Sequence, residues 1–446
     1  MQDLTTGSIS RHLLKSMSFM LVMMAFQTLY FLIDLYWVGR LGTEAVAAVG
    51  IAGNLTFIVL ALTQMLGVGT TTVVSHAVGR KDQKDAERLF NQAQFLTVLA
   101  GGVFTVIMFA LRHWYARTMG ADGATAAYVD QYLLWFLPAM GLQFLMVAMG
   151  SALRAIGNFK TGMVVGTVTV VINMIFAPVL MFGWGTGHPM GVAGTAMSTL
   201  IAVIVGIVWY YVYFARPDAY IKFHPSMWTP DYAVWKRILG IGLPTGFEFG
   251  VTALYLAVVY SITRPFGAAA QAGFGIGQRI IQAGFMPVVA LGFAVAPVAG
   301  QNFGARMADR VKATFKDAAL MAASVMALFA VLSHIAPAAM IGVFSKDPAV
   351  IDVGTEYLRI VSWNYIASGL IFVNSSMFQA MGNTIPSLIT SAVRIALVAI
   401  PAVWLSRLPG FQLHWVWYIS VGAVLVHLAL SLLLLKREFD RRLTFA

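Results

Sequence analysis

MSFMLVMMAFQTLYFLIDLYWVGRLGTEAVAAVG, residues 17–50, opens on a long apolar run with one carboxylate, Asp34, set in it before the Gly39–Gly42 turn. A charged side chain at the centre of a membrane helix costs about 2.5–3.5 kcal/mol on insertion scales, and less toward the membrane edge. Asp34 therefore needs a reason to be there. On a helix, Gln27, Tyr30, Asp34 and Trp37 recur at spacings of three and four and share one face, while Met20, Met23, Met24 and Phe31 spread over the rest. That face is expected to look into a helix bundle, toward water or a substrate.

Composition extends the same reading to the whole chain. Its 446 residues are 59% hydrophobic and 11% charged, with a mean hydropathy of +0.79, whereas soluble domains carry about 25% charged residues. Repeated apolar segments of about 20 residues, enough to cross a hydrocarbon core, imply an all-α integral membrane protein. There is no cysteine, so disulfides, Cys-ligated metals and thiol nucleophiles are excluded. No small-residue cleavage site follows a short apolar core after MQDLTTGSISRHLLK, and the N-terminus is expected to be retained. A net charge of +11 is spread over short loops, as membrane orientation requires, and no nucleic-acid partner is expected.

Twelve spans are expected, at 13–38, 45–74, 90–111, 130–152, 162–183, 191–214, 238–262, 271–300, 315–342, 356–380, 386–405 and 413–435. Between the sixth and seventh lies a polar connection with three prolines, RPDAYIKFHPSMWTPDYAVWKR, from Arg216 to Arg237. Of the 29 Lys and Arg, 20 fall on the N-terminus, the C-terminal tail and the loops on their side. The positive-inside rule then makes both termini cytoplasmic. Domain boundaries follow as an N-terminal six-helix lobe at 1–215, a cytoplasmic linker at 216–237 and a C-terminal six-helix lobe at 238–446.

An internal repeat runs through the chain at a constant offset of 225 residues. Gly42, Gly50, Gly67, Gly79 and Gly157 meet Gly267, Gly275, Gly292, Gly304 and Gly382, five matches where 41 glycines in 446 residues predict about one. Ala155-Ile156-Gly157-Asn158 recurs as Ala380-Met381-Gly382-Asn383, and Phe90 and Ala93 as Phe315 and Ala318. Small residues also recur where helices pack closely, but that does not hold one offset. Six spans per repeat is even, so two pseudo-symmetric lobes share an orientation, an arrangement that places a transport site between them.

LIDLYWVGRLGTEAVAAVG, residues 32–50, resembles the first-helix signature of the MATE family, the multidrug and toxic compound extrusion transporters. VGRKDQKDAERLFNQA at 78–93 and GQNFGARMADRVKATFKDA at 300–318 resemble its paired 2–3 and 8–9 loops. GFGIGQRIIQAGFMPVVALGFAVAPVAGQNFGA at 273–305 resembles its eighth helix, and LRAIGNFKTG and FQAMGNTIPS its loops after helices 4 and 10. The resemblance covers nearly the whole chain. It implies a twelve-helix exporter in the cell (inner) membrane, with the helix 1 Asp and, as in some branches of the family, a helix 7 Glu serving cation coupling and substrate binding.

Sixteen of the eighteen acidic residues fall in loops or at span ends, leaving Asp34 and Glu248 inside spans. The repeat places Val259 opposite Asp34 and Met23 opposite Glu248, so neither carboxylate is inherited from duplication. Pro244, Glu248, Thr252 and Tyr255 share a face of helix 7, and Pro244 frees a backbone carbonyl there. Asp34 reads either as a coupling-ion site or as a structural carboxylate with a neighbour. Glu248 reads as coupling or substrate contact, or as an ion pair with a basic residue such as Arg279. Asn173 with Thr169 is a candidate partner of the Asp34 region. In NMIFAP, however, Ala177 stands where many family members carry an Asp, and helix 10 offers Ser368 and Asn374 in place of another. These departures favour a proton over sodium.

Candidate cation-coupling residues are therefore Asp34, Glu248 and Asn173. Candidate substrate-cavity residues are Gln27, Tyr30, Trp37, Thr169, Thr252, Tyr255, Arg279, Gln282 and Met286. Arg279 and Arg394 lie within spans and are expected to face the interior. His76, His334 and His427 show no metal spacing, and no nucleotide-binding loop is present. The expected activity is antiport of amphipathic, mostly cationic drugs and dyes against H+ or Na+, without a cofactor, by a monomer in a lipid bilayer. A flippase for a lipid-linked saccharide, an integral-membrane enzyme and a channel are the rivals.

Overall fold

The computed structural model describes residues 2–445, and these are helices and short connections without a strand. The helices are α1 (Ile9–Gly39), α2 (Thr43–Gly79), α3 (Gln83–Met119), α4 (Gly123–Ala155), α5 (Phe159–Phe182), α6 (Val192–Phe214), α7 (Tyr232–Thr263), α8 (Ala268–Gly304), α9 (Ala308–Ile335), α10 (Pro337–Gly342), α11 (Pro348–Val361), α12 (Tyr365–Met381), α13 (Ile385–Leu405) and α14 (His414–Arg442). Side-chain caps start several of them: Asp82, Asp122 and Asn158 accept from Asp85, Thr125 and Thr161 amides at 3.0, 2.7 and 3.2 Å.

Among the described residues, eleven helices are long and apolar enough to cross a membrane. The span expected at 356–380 is divided, because a 3-10 turn at Ser362–Asn364 separates α11 from α12. The Ser362 hydroxyl donates to the Arg359 carbonyl at 2.7 Å, a local bond that competes with helix propagation. Its counterpart, α4, runs unbroken over the positions 225 residues earlier and carries Pro138 opposite Trp363. The span expected at 315–342 is divided as well, at Ala336 between α9 and α10, so the fourteen helices of the described residues make up the twelve expected spans with two of them broken.

The chain folds into two compact units. One comprises Ser18–Leu243 with residues 2–3, and the other Leu4–Met17 with everything from Pro244 on. The first unit thus includes the 216–237 connection expected as a linker. In it, α4 packs on α2, α3 and α6, and α5 on α6. Its core joins Val73, Phe90, Leu133, Phe144 and Ile238. In the second unit α8 packs on α9, α11 and α12, and α13 on α14. Its core joins Leu13, Phe274, Leu291, Met326, Tyr365 and Trp417.

The 225-residue offset survives in backbone detail. Both ends of α2 and α8 obey it, and so do two non-glycine residues with positive φ, Lys81 at 60° and Arg306 at 59°. Gly157 and Gly382 turn left-handed at φ 76° and 75°, ending α4 and α12 in the same loop. There Asn158 donates its side-chain amide to Tyr213 at 2.7 Å, and Asn383 donates to Glu438 at 3.0 Å. An added Cβ would meet the Ser151 hydroxyl at Gly67 and the Ser376 hydroxyl at Gly292, each at 2.8 Å.

Each unit also holds a segment that leads into a long helix. Asn91 donates to the Lys222 carbonyl at 2.8 Å and accepts from the His224 amide at 2.9 Å. Gln92 donates to the Met227 and Thr229 carbonyls at 2.6 and 2.7 Å, and Arg88 pairs with Asp231, holding its carboxyl below the usual range. In the second unit the Leu4 amide donates to Gln301 at 3.0 Å, and Ser10 donates to Asp317, the residue 225 positions after Gln92.

Where α3 crosses α4, a side chain at Gly101 would run into the Gly141 carbonyl, while the adjacent Gly102 faces open space. A backbone oxygen cannot yield as a side chain can, and overpacking costs about 1–3 kcal/mol. Gly101→Leu is therefore expected to lower the melting temperature of the detergent-purified protein by several degrees. Gly102→Ala should leave it unchanged or raise it. Equal melting for the two variants would show that this crossing is not tight.

Candidate functional site

In the first unit the apolar run puts Asp34 on α1, and α6 supplies its partner: Thr195 donates to Oδ1 at 2.6 Å. Thr195, Ser198 and Thr199 stand at i, i+3 and i+4, so one face of α6 is a hydroxyl stripe. On α5, Asn173 accepts from Ser198 at 2.6 Å and donates to Thr199 at 3.1 Å. Asp34 and Asn173 are thus joined through α6, which the sequence reading had not implicated, and Tyr30 stands one turn before Asp34 on α1. The face periodicity of T-A-M-S-T was the available signal.

The other candidates of this unit sit apart from that network. Thr169 is buried, and its hydroxyl donates to the Gly166 carbonyl on its own helix at 2.8 Å. Trp37 packs edge-on against Phe182 and Trp184, with ring centroids 5.9 and 5.6 Å away, and Arg40 lies 5.4 Å above it. Gln27 is exposed, and Ala177 is buried.

In the second unit Glu248 on α7 faces α13. Ser391 donates to Oε1 at 2.6 Å, and Ser387 lies 3.4 and 3.2 Å from the two oxygens and 2.8 Å from Ser375. The ion pair considered between Glu248 and Arg279 is not formed. Hydroxyls of α13 serve the carboxylate, and Arg279 is exposed without an ion-pair partner among the described residues. Gln282 is likewise exposed on that face of α8, with Met286 half-buried one turn further. Thr252 donates to the Glu248 carbonyl at 2.9 Å, and Tyr255 lies under Arg394 at 5.8 Å.

Superposing the two halves by sequence offset shows what changed. Ser375, Ser387, Ser391 and Ser431 replace Gly150, Gly162, Gly166 and Gly206. A Cβ at Gly166 would meet the Met23 sulfur at 2.8 Å, and Met23 is the counterpart of Glu248. The same helix contact is thus made by Met over Gly in one unit and by Glu over Ser in the other. Conversely, Asp34 and Thr195 give way to Val259 and Ser420, both buried. A carboxylate with hydroxyl donors in an apolar span can hold a proton or offer oxygens to a small cation.

Hydrogen bonds to charged groups contribute about 1.5–3 kcal/mol, and contacting pairs couple by about 0.5–3 kcal/mol. Thermal double-mutant cycles on Asp34→Asn with Thr195→Val, and on Glu248→Gln with Ser391→Ala, are expected to be non-additive in that range. Additive losses would mean the hydroxyls do not act on the carboxylates.

The chain resembles known proteins in sequence and in fold. The MatE family model matches residues 20–179 and 244–405, one segment per repeat. The chain is 26% identical over 361 residues to the multidrug export protein MepA of Staphylococcus haemolyticus, covering 79% of this chain and 77% of that one. It is 26% identical over 404 residues to the probable multidrug resistance protein YoeA of Bacillus subtilis, covering 90% and 87%. Its fold matches a solved outward-facing multidrug resistance MATE family transporter of the MOP superfamily with a TM-score of 0.90, 22% identity, and coverage of 100% and 98%. With the family model matched over most of its length, on the two repeats that its own glycines mark out, this multi-pass membrane protein belongs to the MatE family of transporters.

Proposed function

We propose that the chain is a secondary multidrug efflux antiporter, exporting amphipathic, mostly cationic compounds in exchange for inward protons. The observation that carries this reading is the pair of hydroxyl-held carboxylates, Asp34 under Thr195 and Glu248 under Ser391. They lie on α1 and α7, the two least buried of the membrane-length helices among the described residues. Multidrug export by MepA, and the multidrug resistance role indicated for YoeA, supply the substrate class. Each carboxylate is accompanied by neutral oxygens and not by a second carboxylate, which favours a proton as the coupling ion over sodium.

In the cycle, uptake of the ion at Asp34, with Glu248 contributing, weakens the hold on a cationic drug, and drug binding expels the ion. Both compete for the same negative charge, and linkage makes the competition reciprocal in binding free energy. The termini face the cytoplasm of the inner membrane, on the side where Lys and Arg accumulate.

In proteoliposomes, an imposed proton gradient is expected to drive uphill ethidium movement. Asp34→Asn should abolish it with normal insertion, and Glu248→Gln should reduce it at least tenfold. Uphill movement under a sodium gradient alone would reassign the ion. Undiminished transport by both variants would remove the carboxylates from the mechanism.

A further inference from the structure

One cleft in the second unit plays no part in that cycle. It lies where α9 ends and α14 begins, encloses about 480 Å³, and is walled by α11 and the 3-10 turn after it. Ligand pockets have volumes of about 300–1,000 Å³. Asp352, Thr355, Glu356 and Arg359 stand at i, i+3, i+4 and i+7 and form one stripe on α11. The opposite face, with Val350, Gly354, Tyr357 and Leu358, is buried in the core. Trp363 and Tyr418, 70% and 60% exposed, close the sides.

A polar stripe on an amphipathic helix is often no more than a solvated face, but three observations go further. The fold does not require these side chains, because the first repeat carries Ala127, Gln131, Leu134 and Ala193 at the positions of Asp352, Glu356, Arg359 and Tyr418. Arg359 has no carboxylate ion-pair partner among the described residues, although Glu356 lies one turn away and is engaged by His414 at 3.6 Å. The Thr355 hydroxyl is buried against the cleft without a hydrogen-bond partner. The site therefore presents a free guanidinium, two carboxylates and two exposed aromatic rings at one end of a set of membrane spans.

We propose that this cleft binds a zwitterionic phosphoethanolamine group, with the phosphate on Arg359 and the ammonium between Asp352 and Glu356. Glu356 and Arg359 are separated by about 4.5 Å along the helix axis at 1.5 Å per residue, a span that a two-carbon ethanolamine arm bridges. Guanidinium suits phosphate because its planar donors match two oxygens at once. Ammonium is also attracted to the faces of Trp and Tyr, and these residues favour the headgroup level of a bilayer. His334, which meets Trp363 edge-on at 5.6 Å, completes the phosphate side. The source of the group is a membrane phospholipid, since the cleft lies at the ends of α9 and α14, two helices long and apolar enough to cross a membrane.

The test is native mass spectrometry of the full-length protein, delipidated and titrated with dioleoyl-phosphatidylethanolamine, dioleoyl-phosphatidylglycerol and soluble phosphoethanolamine in turn. Phosphatidylethanolamine is expected to bind at least tenfold more tightly than phosphatidylglycerol, which lacks the ammonium. Arg359→Ala and Glu356→Gln should each erase that preference, and Arg359→Lys should keep part of it. These side chains are exposed, so the variants should fold. Displacement of the lipid by soluble phosphoethanolamine would show that the headgroup alone suffices; lipid binding without displacement would assign the acyl chains a share. Equal affinity for the two lipids, or full retention in both variants, overturns the proposal.

Discussion

A carboxylate in an apolar helix must be given donors, because lipid and hydrocarbon side chains offer none. Each compact unit meets that demand from a different helix than the one bearing the acid. Thr195 on α6 serves Asp34 on α1, and Ser391 on α13 serves Glu248 on α7. The donors are hydroxyls, which accept as readily as they donate. A hydroxyl therefore stays satisfied whether the acid beside it is protonated, ionised or holding a cation, whereas an arginine partner would pin it in the ionised form.

The duplicated scaffold explains how two unlike sites came to rest on one frame. Shared packing needs small residues at the crossings, and the pairs Gly67 with Ser151 and Gly292 with Ser376 keep the same contact in both units. Where crossings leave a glycine, a serine adds a hydroxyl with little extra volume. Gly166 beneath Met23 and Ser391 beneath Glu248 occupy equivalent positions with opposite chemistry. Duplication supplied the geometry, and later substitution made the polarity of the two halves differ. The polar stripe of α11 belongs to the same pattern, being present in one repeat and absent from the other.

The tethers of α1 and α7 follow the repeat as well. Gln92 on α3 holds the 6–7 connection that leads into α7, and Asp317 on α9 holds Ser10 in the first turn of α1, so equivalent positions secure the starts of the two acid-bearing helices. Asn91 and Gln92 bind backbone groups for the most part. Carbonyl and amide groups are common to any sequence, and side-chain amides are suited to them because each offers both donors and an acceptor.

By itself the sequence determined the membrane class, the helical spans, the two repeats and the two isolated acids, because hydropathy, residue spacing and a constant offset are linear properties of the chain. It missed the break at Ser362–Asn364, because a single 3-10 turn leaves no mark on hydropathy. It also named Thr169 and Arg279 as neighbours of the carboxylates, whereas Thr195, Ser387 and Ser391 take that place. Those three lie 161, 139 and 143 residues from the acids they serve. Only tertiary structure decides which hydroxyl turns toward which acid, because that depends on how far each helix is rotated about its axis when its glycines and alanines dock.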